Sequence, residues 1–156
     1  MVSSEWLKRA ELFGSLEEPQ LNALLSNAQV KSFPEGETIF RQGDQAIYLY
    51  ILIEGGINLT VRAGEKPDFM TSKIEKEGAV FGMPSLLEPF RYNVTAISLK
   101  PTKVLMIRAE CMRKNMESDP MMGREVMEKL ASIYFNRLNE MRQGISNLLK
   151  VLRPKT

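Results

Sequence analysis

The sequence predicts an α+β fold that is mainly β, with helices at the N-terminus and one long helix at the C-terminus. Apolar residues recur at helical spacing before residue 30 and again after residue 119, whereas seven glycines punctuate short strand-like runs in between. The 156 residues suit one domain with an extension. We expect an N-terminal helical segment over residues 1–29, a β unit over 30–108 and C-terminal helices over 109–156.

The N-terminal segment carries two helical patterns. Trp6, Leu7 and Ala10 have spacings compatible with one helix face. Ser15 and Glu18 have the spacing of a capping box, which predicts a second helix that starts at Ser15. Pro19 then lies in the first turns, where a missing N–H costs little.

The central part has the patterns of short β-strands. Residues 47–53 form an unbroken apolar run, which predicts a strand with much of both faces covered. Ile57, Leu59 and Val61 alternate with polar residues, as in a strand with one face in water. Residues 54–56, Glu-Gly-Gly, predict a hairpin turn between these strands. Composition alone fits either a jelly roll that holds a ligand or a structural barrel without one.

The last helix has a regular apolar seam. The residues of this seam follow one another at alternating steps of four and three: Met127, Ala131, Tyr134, Leu138, Met141, Ile145, Leu148 and Leu152. Such a heptad pattern is typical of a helix that pairs with another helix. A second group, Val126, Leu130 and Ile133, lies on a neighbouring face. We expect this second group to pack on the domain itself, and Tyr134, Leu138, Met141, Ile145 and Leu148 to form a homodimer seam.

Composition excludes several function classes. The chain has no histidine, which removes imidazole bases, serine–histidine nucleophiles and histidine-ligated metals. We expect no catalytic residues, metal or cofactor. The net charge of +2 predicts no general attraction to nucleic acid. Because no signal peptide or membrane-spanning run is found, we expect a cytoplasmic protein without a membrane partner.

The stretch from Phe81 to Ser85 reads as a strand that turns sharply into a short helix. Gly82 permits backbone conformations that a side chain would forbid, and Pro84 suits a first helical turn. Free backbone N–H groups at such a junction can hold a phosphate. By itself this pattern is weak, because most such turns are only turns.

In five blocks the chain resembles the cyclic-nucleotide-binding domains, the family of catabolite activator protein and the regulatory subunits of protein kinase A. The blocks occur in the family's order at residues 12–16, 33–44, 50–55, 78–82 and 81–96. The resemblance implies an eight-stranded jelly roll (double-stranded β-helix) with a phosphate-binding cassette at residues 81–96. It also implies a regulatory domain that binds cyclic AMP, cyclic GMP or a related ligand and signals through its C-terminal helix.

Within the cassette two family positions differ. The family's glutamate, which accepts a hydrogen bond from the ribose, is replaced by Met83. Its arginine, which pairs with the cyclic phosphate, is replaced by Tyr92, with Arg91 one residue away. The cassette is therefore degenerate. Hydrogen bonds to charged groups contribute roughly 1.5–3 kcal/mol each, so both losses together would weaken binding strongly.

Three hypotheses follow for the cassette. In the first, Arg91 turns inward and the site takes cyclic AMP or cyclic GMP. In the second, Tyr92 and Asn93 hydrogen-bond another small ligand beside an apolar Met83. In the third, no ligand binds, and the domain is a dimeric scaffold or partner-binding module. The candidate ligand-binding residues are Phe81, Gly82, Met83, Pro84, Ser85, Arg91, Tyr92 and Asn93.

Partners can be predicted only in outline. We expect a homodimer through the C-terminal helix and a separate effector protein that the sequence does not identify. Only four residues follow Leu152, too few for a DNA-recognition helix, so we expect no direct DNA binding.

Overall fold

A computed structural model describes residues 2–62 and 69–153 of the chain, without the side chains of 69–71. Its helices are α1 (Ser4–Arg9), α2 (Glu18–Leu25), α3 (Ala109–Ser118) and α4 (Pro120–Leu152), with a short 3-10 helix at Met83–Leu86 that we call the cassette helix. Its strands are β1 (Ala28–Phe33), β2 (Thr38–Phe40), β3 (Tyr48–Glu54), β4 (Ile57–Val61), β5 (Phe69–Ile74), β6 (Val80–Phe81), β7 (Thr95–Ser98) and β8 (Thr102–Arg108).

The strands form two antiparallel sheets of four strands each. One sheet has the order β1-β8-β3-β6 and the other the order β2-β7-β4-β5. Sequence neighbours are therefore seldom paired, as expected when strands cross between the sheets of a jelly roll. The predicted α+β jelly roll with a long C-terminal helix is confirmed.

The central strands of the sheet β1-β8-β3-β6, β8 and β3, separate two cores, because both of their faces are covered. Leu49 and Ile51 of β3 pack with α1 to α4 in a helix-side core. Tyr50 and Leu52 point the other way, into the interior of the roll, where they form a roll-side core with residues of the second sheet. This agrees with the prediction from the unbroken apolar run at 47–53, since a strand buried on both faces needs apolar residues at every position.

Helix α2 starts two residues later than the capping pattern predicts. Its N-cap is Glu17, whose backbone N–H donates to Gln20 Oε1 at 2.8 Å. The reason lies in Pro19, which has no backbone N–H. With an N-cap at Ser15, Pro19 would occupy the fourth helical position, where an N–H is needed for the first intrahelical hydrogen bond. With the N-cap at Glu17, Pro19 occupies the second position, where no such bond is required.

The predicted hairpin at residues 54–56 is wrong. The turn is present, but β3 and β4 belong to different sheets, so the chain crosses the roll there. Gly55 has φ +109°, and a Cβ on it would lie 2.5 Å from Thr102 Oγ1. The same hydroxyl accepts from the Gly56 N–H at 3.2 Å. Contacts with Thr102, distant in sequence, fix this turn.

Helix α4 packs on the domain only with its first half. Val126 and Leu130 are buried, and Ile133 lies against the helix-side core. Tyr134, which the sequence assigns to the seam, also lies against this core, because the first half of the helix is still in contact with the domain at this position. Asp119 fixes the start of the helix, because its carboxylate accepts from the Met122 N–H at 3.2 Å and from Gln20 Nε2 at 2.7 Å. In the described part of the chain no helix is both long and apolar enough to span a bilayer.

Candidate functional site

The candidate site is the junction between β6 and the cassette helix. Gly82 joins them in a left-handed conformation with φ +76°. A Cβ at this position would lie 3.0 Å from Tyr50 Cδ2 and 3.1 Å from the Tyr48 carbonyl oxygen. Both the backbone conformation and the tight space therefore require glycine. The strand, the sharp turn and the short helix lie where the sequence predicts them.

Tyr92 points into the roll. Its side chain is buried, and its ring stacks on that of Phe40 with the centroids 3.8 Å apart. The Tyr92 hydroxyl donates to the Tyr48 carbonyl oxygen at 2.7 Å and accepts from the Tyr48 N–H at 3.2 Å. Ring and hydroxyl are thus both held by the protein itself, at the position where the family has its arginine.

Four rings fill the interior of the roll beside the cassette, and we call them the aromatic plug: Phe40, Tyr50, Phe81 and Tyr92. Tyr50 stacks on Phe81 at 5.0 Å and on Phe40 at 5.5 Å between centroids. Phe40 and Phe81 are 6.1 Å apart. Offset contacts of this kind add about 0.5–1.5 kcal/mol per pair to the burial of the rings. The plug is therefore a cohesive part of the roll-side core.

The plug carries no charge at neutral pH. Burial raises the pKa of Tyr50, and the neighbouring Tyr92 raises it further. Burial also raises the pKa of Tyr92, although hydrogen bonds with the Tyr48 backbone and with Tyr50 act in the opposite direction. Both phenols are neutral under physiological conditions, so Tyr50 and Tyr92 place neither a positive nor a negative charge beside the cassette.

Met83, Pro84, Ser85 and Leu86 form the cassette helix, and the side chains of Met83 and Leu86 lie in the helix-side core. Met83 is 2% exposed and belongs to that core, away from the plug. Ser85 is fully buried, and its hydroxyl oxygen has no hydrogen-bond partner in the described structure. Arg113 of α3 donates to the Ser85 carbonyl oxygen at 2.5 Å and lies over the Phe90 ring.

Arg91 and Asn93 lie on the outside of the roll, and both are exposed. Arg91 Nη1 donates to the Gly43 carbonyl oxygen at 3.0 Å. Successive side chains of an extended segment point to opposite sides, so an inward Tyr92 sends both neighbours outward. The eight predicted residues therefore do not converge on one cavity: Phe81, Gly82 and Tyr92 face the roll interior, Met83 lies in the other core, and Arg91 and Asn93 face solvent.

Sequence reasoning missed the residues that hold the site in place. Phe40 and Tyr50 complete the plug, and Arg113 anchors the cassette helix to α3. Arg137 of α4 donates to the Val80 carbonyl oxygen, directly before the cassette. A signal for Arg137 existed: it follows Ile133 by four residues, on the face that packs against the domain, where a charge requires a partner. Among the described residues no cluster of His, Cys, Asp or Glu could bind a metal ion.

Comparison with known proteins assigns the central region. Residues 30–119 match the family model described as the cyclic nucleotide-binding domain. A CRP-like cAMP-activated global transcriptional regulator of Mycobacterium tuberculosis is 25% identical over 145 residues, which are 93% of this chain and 62% of the regulator. A global nitrogen regulator of Synechococcus elongatus is 30% identical over 106 residues, or 67% of this chain and 47% of that protein. The chain thus spans about half to three-fifths of these curated relatives.

Solved structures have the same architecture. A candidate cyclic nucleotide-binding protein of Geobacter metallireducens GS-15 superposes with a TM-score of 0.78 and 31% identity, covering 88% of this chain and 99% of that one. The catabolite activator protein of Thermus thermophilus superposes with a TM-score of 0.69 and 26% identity, covering 88% of this chain and 62% of that one.

Proposed function

This chain belongs to the cyclic nucleotide-binding domain family, and from that premise we propose that it is a regulatory domain closed to cyclic nucleotides by its own aromatic plug. It then acts through α4 as a dimeric partner-binding module. Of the three hypotheses from the sequence, the geometry favours the last. The buried Tyr92, stacked on Phe40 and bonded twice to the Tyr48 backbone, is the observation that carries the proposal.

Binding of cyclic AMP or cyclic GMP in the family's manner would require several contacts to break. Tyr92 would leave its stack and its two hydrogen bonds, and Arg91 would leave Gly43 and turn into the roll. Each buried hydrogen-bonding group left unpaired costs about 1–3 kcal/mol. Met83 has no acceptor for a ribose hydroxyl and packs in the other core. All of these costs raise the free energy of the nucleotide complex relative to the free protein, so we expect no binding at physiological nucleotide concentrations.

Calorimetry tests this directly. Titration of the protein with cyclic AMP and with cyclic GMP should give no binding heat up to about 1 mM nucleotide. A dissociation constant of about 1 mM corresponds to a binding free energy of about −4 kcal/mol. The cyclic AMP receptor protein of Thermus thermophilus, 28% identical over 136 residues, is the positive control in the same buffer. A micromolar dissociation constant for either nucleotide would refute the closed roll and restore the ligand-sensing hypothesis.

The exposed apolar seam of α4 supports the dimeric part of the proposal. Leu138, Met141 and Ile145 are each exposed by 43–56%, whereas Val126 and Leu130, on a neighbouring face of the first half of the helix, are buried in the domain. A seam of this length in water is normally covered by a second helix, and its heptad spacing matches a second copy of α4. The second copy is therefore the partner that we propose.

The remaining parts of the proposal concern context. The chain acts in the cytoplasm as a regulator without enzymatic activity, reaches its effector through the paired helices, and makes no base-specific DNA contacts of its own. The relatives described as transcriptional regulators support the regulatory role. Incubation with fluorescent DNA pools at low salt tests the last point, since sequence-selective retention by residues 1–156 would contradict it.

A further inference from the structure

Strand β6 is shared by the two cores. It consists of Val80 and Phe81 alone. The Phe81 side chain belongs to the aromatic plug, whereas the Val80 side chain is fully buried in the helix-side core. A shift of Phe81 therefore moves Val80 as well, because adjacent residues of a strand share one rigid peptide unit. The strand is a mechanical link between the interior of the roll and the helices.

The backbone of Val80 is held by two charged side chains from different elements. Arg137 Nη2 of α4 donates to the Val80 carbonyl oxygen at 2.7 Å. The Val80 N–H donates to Glu11 Oε1, beyond the end of α1, at 2.9 Å. Arg137 and Glu11 also pair with each other at 3.6 Å and are 28% and 39% exposed. Charge-assisted hydrogen bonds are stronger and more directional than neutral ones, so this arrangement fixes Val80 firmly.

The position of Arg137 along α4 gives this contact its significance. On its N-terminal side, Leu130, Ile133 and Tyr134 still pack against the domain. On its C-terminal side, the helix from Leu138 to Leu152 is exposed along its whole length. Arg137 thus makes a contact with the domain at the point where the packed half of α4 ends and the exposed seam begins.

We propose that Glu11 and Arg137 form a coupling clamp, through which the state of the aromatic plug sets the position of the seam half of α4. The inference rests on the proposed function, since it describes how the closed roll would control the helix that pairs. Rearrangement of the plug displaces β6, weakens the hold on Arg137 and releases α4. Reciprocally, a partner that moves α4 pulls on Val80 and loosens the plug, because coupling between two sites acts in both directions.

Hydrogen exchange on the full chain tests the clamp without any ligand. Four proteins are compared: wild type, Phe81→Leu, Arg137→Gln and the double variant. Exchange of the amides of residues 131–141 is measured relative to those of β8, which contributes no ring to the plug, and this corrects for global stability. We expect Phe81→Leu to accelerate exchange in this segment several-fold, Arg137→Gln to do the same, and the double variant to show no more than Arg137→Gln alone. Additive effects, or no effect of Phe81→Leu on α4, would overturn the clamp.

Control variants separate the clamp from general damage. Arg124→Gln also removes a cation from α4. Arg124 forms its salt bridge, at 3.1 Å, with Glu128 of the same helix, so its loss breaks no contact with β6. In this background Phe81→Leu should retain its full effect on residues 131–141, and a lost effect would overturn the proposal. If Phe81→Leu does not fold, Tyr92→Phe replaces it as the milder change to the plug. Glu11→Gln, which removes the ion pair, should give a smaller acceleration than Arg137→Gln.

The two proposals fail in different experiments. Nucleotide binding by the wild type refutes the closed roll in calorimetry, whereas additive exchange effects refute the clamp in the absence of nucleotide.

Discussion

The rings of Tyr92 and Phe40 lie 3.8 Å apart with their planes inclined by 16°, inside the roll of a cyclic nucleotide-binding domain. Phe40 comes from β2 and Tyr92 precedes β7, and these two strands are neighbours in one sheet. The stack therefore ties the cassette's far end to the sheet that forms the wall of the roll. Both rings are buried and belong to the roll-side core.

Removal of the Tyr92 hydroxyl should destabilise the protein measurably. Tyr92→Phe keeps the ring stack but leaves the Tyr48 N–H and carbonyl oxygen without their partner, at a cost of about 1–2 kcal/mol. Thermal unfolding should shift down by about 2–8 °C. Ser26→Ala, which removes an exposed hydroxyl bonded to Ala23, is the control and should change stability by less than about 0.5 kcal/mol. Equal shifts for both variants would show that the buried hydrogen bonds contribute little.

A pair of glycines separates backbone strain from crowding. Gly36 and Gly82 have similar positive φ angles, +83° and +76°, but a Cβ on Gly36 meets nothing within 4 Å, whereas one on Gly82 would press on Tyr50 and Tyr48. Gly36→Ala should cost about 1 kcal/mol for the conformation alone. Gly82→Ala should cost at least about 1–3 kcal/mol more, because the plug must shift. Denaturant unfolding measures both, and similar values would mean that the plug yields easily.

Alkaline pH should destabilise the fold through its tyrosines. Burial raises the pKa of Tyr50, Tyr92 and Tyr134 above the ordinary 10.0 in the folded protein. Unfolded, these phenols lose their protons near pH 10, so the stabilisation is fully present below that pH and is lost as the pH rises above it. The phenolate absorbance of the folded protein should therefore rise at a higher pH than that of the urea-unfolded chain. Coincident titration curves would contradict the buried, neutral plug.

Charge in the seam should abolish the dimer and leave the domain folded. Leu138→Asp and Ile145→Asp place a carboxylate at exposed positions, 43% and 56% accessible, which the proposed second helix would cover. Burying an unpaired charge in a helix pair costs several kcal/mol, so sedimentation should show monomers. Asn136→Asp, exposed on another face of α4, is the matched control and should remain dimeric. A wild type that sediments as a monomer would remove the seam from the proposed function.

The elements that the sequence predicted best are those whose pattern repeats over many residues. The long helix α4 and its packed stripe follow from helical periodicity, and β3 follows from its unbroken apolar run. The turn after Glu54 was assigned to a hairpin because local turn chemistry does not specify which sheet the next strand joins. That choice depends on the pairing of β4 with β5 and β7, which are distant in sequence.

The site was only partly predictable for a related reason. Sequence spacing placed Tyr92 at the family's arginine position, but whether the ring faces the roll depends on space left by Phe40 and Tyr50. In a strand alternate side chains share a face, so Tyr48 and Tyr50 lie on the same side of β3. This rule does not predict that four rings from separate segments meet, since that is a property of the closed roll.

Because β3 and β8 are covered on both faces, the roll cannot be separated from its helices. A shortened protein lacking α1 to α4 would expose Leu49, Ile51, Leu105 and Ile107 as an apolar sheet face prone to aggregation. The chain can be shortened safely only from its far end, beyond Arg137, where α4 leaves the domain. A protein that ends shortly after this residue should keep the fold and lose the self-association that we propose for the seam, so the two can be examined separately.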